Sequence, residues 1–215
     1  MIISAFSDGP KILADEEVRA ERIRQLTLPH VAPLAAFAQQ IRSERGSAYS
    51  VPDFDPWDGG VDAEVLYVLE APGPKTVATG FVSRNNPDES ALNFFRANVE
   101  AGIPRTRTVS WNIIPWTLSD RQGRVRSPKQ EDISSGIPYL ERLLALLPRL
   151  CAVVLVGRSA ERAAPHLMTQ RRSFDLFVAP HPSPQFVNRF PENRERLASA
   201  LRAVAAKLRA GDPAF

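Results

Sequence analysis

Two short stretches, EVLYVL at Glu64–Leu69 after its opening acid and AVVLV at Ala152–Val156, are apolar at successive positions rather than alternate ones. A strand with one wet face alternates. A strand apolar throughout is covered on both faces, as parallel strands between two layers of helices are. Two further strands are read at Thr108–Ile114 and Phe174–Ala179. Helical spacing at about residues 88–101, 131–147, 158–168 and 191–209 fills the intervals between and after them. Strands alternating with helices predict a three-layer α/β/α fold around a central, mainly parallel four-stranded sheet. Upstream, residues 11–46 open on acids at Asp15–Glu17 and keep apolar positions at helical spacing through Ile41. Pro29 and Pro33 are expected to split this stretch into two helices, since proline removes a donor and clashes with the preceding turn. At 215 residues the chain suffices for one sizeable core, so a single domain over 1–215 is expected, with residues 1–60 a helical region packed on it.

Bulk properties exclude several classes of function. No apolar run approaches the roughly 20 residues needed to span a bilayer. The opening MIISAFSDGPKILADEE has no basic segment and meets acids early, unlike a signal peptide. Cys151 is the single cysteine, which excludes an internal disulfide framework and any cysteine-rich zinc or iron–sulfur site. The chain therefore reads as a cytoplasmic protein without metal or cofactor, and a monomer is expected. The net charge is only +3, compatible with a polyanionic partner without demanding one. Clustering says more: RQGRVRSPK at 121–129 carries Arg121, Arg124, Arg126 and Lys129 with no acid among them, and Arg171 and Arg172 form a second pair. Such a run is either a phosphate-binding loop or a solvated one.

In parallel α/β sheets ligands bind where the carboxyl ends of the strands open into loops. The polar chemistry of this chain lies there. LEAPGP (Leu69–Pro74) and then GFVSR (Gly80–Arg84) follow the first strand, and WNIIPW (Trp111–Trp116) closes the second. VGRSAER (Val156–Arg162) follows the third and HPSPQFVNR (His181–Arg189) the fourth.

LEAPG and HPSPQFVNR together resemble the paired motifs of the uracil-DNA glycosylase superfamily. The first is most like the GEAPG form of its iron–sulfur-containing branch, and the second is like HPSPLS followed by an arginine, here Arg189. GFVSR is similar to the family's phenylalanine-bearing segment, and WNIIP to the strand that presents a uracil-reading asparagine. The likeness runs in order over about residues 63–205. It implies a DNA-repair glycosylase that flips uracil from DNA and hydrolyses its glycosidic bond, with uracil-containing DNA as partner.

Each motif residue then has a role the chemistry requires. Phe81 offers a flat face for uracil, or is an ordinary core aromatic. Asn112 carries one amide donor and one acceptor, complementary to uracil O4 and N3–H, or else closes a strand-end turn. Negative charge develops on the departing uracil. By the resemblance His181, held by Pro182 and Pro184 in a stiff loop, donates to uracil O2, aided by backbone amides at Ala71–Gly73. The attacking water needs an acceptor. Glu70 is the only carboxylate in the first motif and either orients that water or holds a loop, with Asn85 and Asn86 as further candidates. Ser183, Gln185, Phe186 and Arg189 are candidate DNA contacts, with Gln185 at the place where a leucine fills the vacated stack in relatives. Arg121, Arg124 and Arg126 are candidate phosphate contacts. His30 and His166 are read as structural.

Two departures from the family's patterns stand out. The GEAPG branch carries four cluster-ligating cysteines and this chain has one in total. The best-known branch has an aspartate at the third position of the first motif and a tyrosine after the proline. Here those places hold Ala71 and Gly73, so thymine must be rejected by other means or less strongly. Two alternatives stay open: a superfamily member that binds or crosslinks uracil or abasic DNA without turnover, and a nucleoside or nucleotide hydrolase on a generic α/β fold.

Overall fold

A computed structural model describes residues 6–119, 122, 124–170 and 173–211. Two helices come first, α1 (Glu16–Gln25) and α2 (Ala32–Arg45). The Asp15 side chain accepts the Glu17 N–H and so caps α1. Of the two prolines expected to break this region, only Pro29 lies between the helices. Pro33 sits in the first turn of α2, where its missing N–H has no helical partner to lose.

The chain continues through β1 (Asp53–Phe54), β2 (Val65–Leu69), α3 (Pro74–Thr79), β3 (Phe81–Val82) and α4 (Glu89–Glu100). Next come β4 (Thr108–Asn112), α5 (Gln130–Ala145), β5 (Ala152–Val156), α6 (Arg158–Glu161), α7 (Ala164–Met168), β6 (Asp175–Ala179) and α8 (Pro191–Ala210). The helix expected over about 158–168 is thus two short ones, with Pro165 in the first turn of α7. Among the described residues no helix is long and apolar enough to cross a membrane.

The main sheet has the order β4-β2-β5-β6 and every pairing in it is parallel. Its two faces are covered by different helices. Leu66, Val68, Val109, Trp111, Val153 and Leu155 pack against apolar residues of α2 and α5. Val65, Tyr67, Ala152, Val154 and Val156 pack against α4 and α8. Successive side chains of a strand point to opposite faces, so the continuous apolar runs are what this double burial requires. From β2 the chain passes to β4 on one side and returns across the sheet to β5 on the other. The topology therefore switches between β2 and β5, where a parallel sheet opens a crevice at its carboxyl ends.

A second, two-stranded sheet pairs β1 with β3 in parallel, Asp53 opposite Phe81. Beside it lies a buried ionic cluster. The Asp55 carboxylate, 1% exposed, is paired with Arg22 of α1 and with Arg105. It also accepts the Ser83 hydroxyl and the Trp57 N–H. Arg105 donates from Nε to Asp58 at 2.8 Å, and Arg22 donates to the Asn85 side chain at 2.8 Å while stacking over the Trp57 ring at 3.7 Å. Burial alone would raise the Asp55 pKa, but Arg105 and Arg22 overcome that and hold it at about 2. Asp58 is pushed up to about 6, because there burial outweighs the attraction of Arg105 and Arg84.

Removing one partner from a buried ion pair leaves the others uncompensated, a loss of about 3–5 kcal/mol. Asp55→Asn should therefore cost that much in urea unfolding at pH 7, and a loss below about 1 kcal/mol would contradict the cluster's role. A carboxyl depressed by folding contributes stability above its unfolded pKa of about 3.9, and loses it as pH falls through the folded value. The Asp55 contribution should persist to about pH 4 and fade toward pH 2.

Candidate active site

At the carboxyl ends of β2 and β4 lies a cavity of about 400 Å³, lined among others by Glu70, Ala71, Gly73, Arg84, Asn112 and His181. Four segments supply these groups: the turn after β2, the segment after β3, the end of β4, and the loop after β6. Sequence-distant motifs are thus brought to one place.

Asn112 ends β4. Its register neighbour on β2 is Leu69, and Ser110 stands opposite Tyr67. Strand alternation puts Ser110 and Asn112 on the α4 face, opposite Trp111. Trp111 stacks on Phe54 at 3.8 Å and so anchors the strand from the other side. Gly136 of α5 holds the next two residues in place. A Cβ there would fall 1.9 Å from the Ile113 carbonyl oxygen, so only glycine lets α5 press against the chain just beyond Asn112. Asn112 is 3% exposed, and its Nδ2 finds no acceptor among the described residues. A buried donor without a partner costs about 1–3 kcal/mol. On a residue that lines the cavity, such a donor is suited to a ligand acceptor.

His181 is set by its own loop. Its Nδ1 accepts the Ser183 N–H at 3.2 Å, which leaves Nε2 as the N–H of the neutral ring. Asn93 of α4 donates to the Pro182 carbonyl at 2.9 Å and ties the loop down. Behind the ring is Gly157, the residue after β5, at φ 85°. A Cβ there would be strained and would come within 3.0 Å of the His181 Cβ. Burial lowers the His181 pKa, opposed by the nearby carboxylates of Glu70 and Asp88.

Glu70 and Asp88 are carboxylates of the cavity wall. Glu70 accepts the Ser159 hydroxyl at 2.6 Å, which ties the turn after β2 to α6. Asp88 caps α4 by accepting the Ala91 N–H at 2.9 Å. Ala71 lies on the same wall, and at Gly73 an added Cβ would meet nothing within 4 Å. The place where a tyrosine is expected in the best-known branch therefore opens into space.

Several expected site residues are placed elsewhere. Phe81 packs with Leu13 and Val18 in a core of its own and is not part of the cavity lining. Val82 and Phe94 line the wall in its place. Alternation along β3 turns the two neighbours to opposite sides. Asn85 is engaged in the ionic cluster, donating to Asp8 and to the Gly9 carbonyl. Asn86 touches the cavity, but its amide is committed to Thr76, Thr79 and the Phe81 carbonyl.

On the rim, Arg126 lines the cavity with Val125, and its guanidinium makes a two-pronged contact with Asp132 at 2.6 and 2.7 Å. That fork is occupied within the fold. Arg124 is exposed, and Arg121, Arg171 and Arg172 lie outside the described residues. The segment after HPSP makes a π turn over Pro184–Asn188. Gln185 is exposed there, whereas Phe186 is half-buried against the α8-side core. Arg189 is exposed and lies over Phe190 at 5.5 Å. Ser183, Phe186 and His181 also line a neighbouring cavity of about 440 Å³ with Arg158 and Arg196. His30 is bonded to the Pro56 carbonyl at 2.8 Å, and His166 is on the surface of α7.

The family described as the Uracil DNA glycosylase superfamily matches residues 56–205, well over half of the chain and all of the cavity. The chain belongs to the uracil DNA glycosylase superfamily. No curated protein matches it. Among solved structures it is similar to the wild-type SMUG2 of Pedobacter heparinus, at 13% identity over 66% of this chain and 76% of that one, with a TM-score of 0.51. It also matches a solution NMR structure of a candidate uracil DNA glycosylase from Methanosarcina acetivorans, at 16% identity, 66% and 91% coverage and a TM-score of 0.45. The first of these likenesses shows the glycosylase fold. Within this superfamily domain, Asp88, Asn93, Gly157 and Ser159 are contributors that sequence reasoning missed, since each acts on a residue distant along the chain.

The geometry of His181 has a measurable consequence. Protonating Nδ1 would set a donor against the Ser183 N–H, so folding favours the neutral ring. Following the ring by NMR, its midpoint should lie below the ordinary value of about 6.5. Stability contributed by this group is present above that value and is lost as pH falls below it. A midpoint at or above 6.5 would contradict the half-buried, Nδ1-bonded ring.

Proposed function

We propose that this chain is a DNA glycosylase that extrudes uracil from DNA and hydrolyses its N-glycosidic bond, leaving an abasic site. The observation that carries the reading is the buried Asn112 Nδ2, without a partner among the described residues, on a residue that lines one cavity with His181, whose Nδ1 is engaged and whose Nε2 carries the N–H. A uracil ring offers acceptors at O2 and O4 and a donor at N3. Asn112 matches O4 and N3–H, and His181 matches O2. The turn at Ala71–Gly73 and the wall at Phe94 hold the base.

In the reaction the C1′–N1 bond breaks with its electron pair going to uracil, water adds to C1′ and gives its proton to Glu70, and the released uracil anion takes up a proton in turn. A neutral histidine stabilises the uracil anion by hydrogen bonding at O2, without needing to protonate it first. Glu70, held by Ser159, is the acceptor that orients the water, with Asp88 the second carboxylate of the wall. DNA is engaged along the π turn, where the exposed Gln185 rather than Phe186 takes the place of the extruded base. Phosphate contacts come from the exposed arginines of the rim and of the neighbouring cavity, Arg124, Arg158 and Arg196.

Abasic sites formed in single-stranded and duplex oligonucleotides containing uracil, revealed by alkali, test the reading. Wild-type protein should excise uracil with EDTA present and turn over repeatedly. His181→Ala should lower the single-turnover rate by about 10²-fold or more while sparing DNA binding. One stoichiometric burst with no turnover would instead indicate a binding or crosslinking protein. Uracil cleavage by the His181 variant at the wild-type rate would place the chemistry elsewhere.

A further inference from the structure

Three residues that line the main cavity each carry a buried polar atom with no partner among the described residues: Nε of Arg84, Oγ of Ser110 and Nδ2 of Asn112. The reaction proposed above employs only the last. Arg84 is 5% exposed and donates from Nη2 to the Thr108 hydroxyl. Its guanidinium carbon lies 6.0 Å from the centroid of Tyr67, the residue in register with Ser110. Thr108, Ser110 and Asn112 alternate onto one face of β4, so all three unpartnered groups stand on the α4 side of the β2–β4 pair.

A guanidinium has donors only and keeps its charge at any working pH. Nε of Arg22 and of Arg45 is also buried without a partner among the described residues, but of these arginines only Arg84 lines the ligand cavity, where a ligand can bring the acceptor. We propose that Arg84 is a second reader of the extruded base, its Nε–H donating to a base carbonyl oxygen. This rests on the base-excision reading above and adds the group that sets its selectivity. Asparagine alone discriminates weakly between keto and amino bases, because its amide can turn over and exchange donor for acceptor. Arg84 has no acceptor form. An exocyclic amino group in place of the carbonyl would set donor against donor with both desolvated. Bases with a keto oxygen at this position are therefore selected over those with an amino group, uracil over cytosine being the relevant pair. The Ser110 hydroxyl rotates and suits either.

The test compares wild type, Arg84→Lys, Arg84→Gln and Ser110→Ala. Single-turnover excision of uracil and of cytosine from single-stranded oligonucleotides is measured, with calorimetric binding of free uracil and free cytosine and the melting temperature of each variant. Arg84→Gln should lose about 10–100-fold in uracil excision and in uracil affinity, the range of a hydrogen bond from a charged group. Its preference for uracil over cytosine should narrow by a similar factor. Arg84→Lys, which keeps a charged donor, should hold that preference within about tenfold, and Ser110→Ala should leave it unchanged. If wild type binds uracil selectively but excises nothing, the excision reading fails while the role of Arg84 is decided by the binding data. A Gln variant with the wild-type preference would overturn the proposal. So would Lys and Gln variants that both fail to fold, since Arg84 would then serve the framework.

Discussion

A fully buried carboxylate, Asp55, holds together parts of the chain that have no other reason to meet. Removing a carboxylate from water is costly, and the cost is met here by two guanidiniums, a hydroxyl and a backbone N–H. Those partners come from α1, from the segment after β3, from the approach to β4 and from the loop of Asp55 itself. One charge thereby fixes residues 83–86, the wall of the cavity that carries Arg84, against the end of the sheet. The two-residue strands β1 and β3 are too short to specify that position unaided. The exposed surface pairs, such as Arg202 with Glu195, contribute little by comparison.

With the wall in place, the cavity has a consistent electrostatic character. Two of its lining residues, Arg84 and Asn112, carry buried N–H donors without a partner among the described residues, and its carboxylates, Glu70 and Asp88, stand near His181. Such an arrangement suits a neutral ligand rich in carbonyl oxygens. Preorganised donors of this kind need not rearrange if charge develops on a bound ligand. Glycines are used where backbone must come close: Gly136 behind the Asn112 strand and Gly157 behind the His181 loop. Both lie outside the motifs themselves, and both act on the position of a motif residue.

The sheet was legible in the sequence because double burial writes itself as unbroken apolar runs. β5 is found where it is read, and the other three strands begin within one residue of the expected positions. Helix breaks were less legible, since Pro33 and Pro165 lie in first turns, where proline is tolerated. At the site, the residues with a motif context, Glu70, Ala71, Gly73, Asn112 and His181, do converge on one cavity. Phe81 does not, because a two-residue strand carries no periodicity from which to tell which neighbour faces in. The engagement of Asn85 and Arg126 was not legible, because it depends on partners outside their own motifs, Arg22, Arg105 and Asp8 in one case and Asp132 in the other. Arg84 was passed over because an arginine in a loop reads as solvated until its burial is known.

The central claim is that one cavity binds the uracil ring through Asn112 and His181, and NMR on ¹⁵N-labelled protein tests it most directly. On titration with free uracil, the side-chain NH₂ of Asn112 and the imidazole nitrogens of His181 should shift together and saturate with a single affinity. Residues confined to the neighbouring cavity, such as Arg158 and Arg196, should stay in place. Saturable shifts centred on that neighbouring cavity, with Asn112 unmoved, would contradict the account.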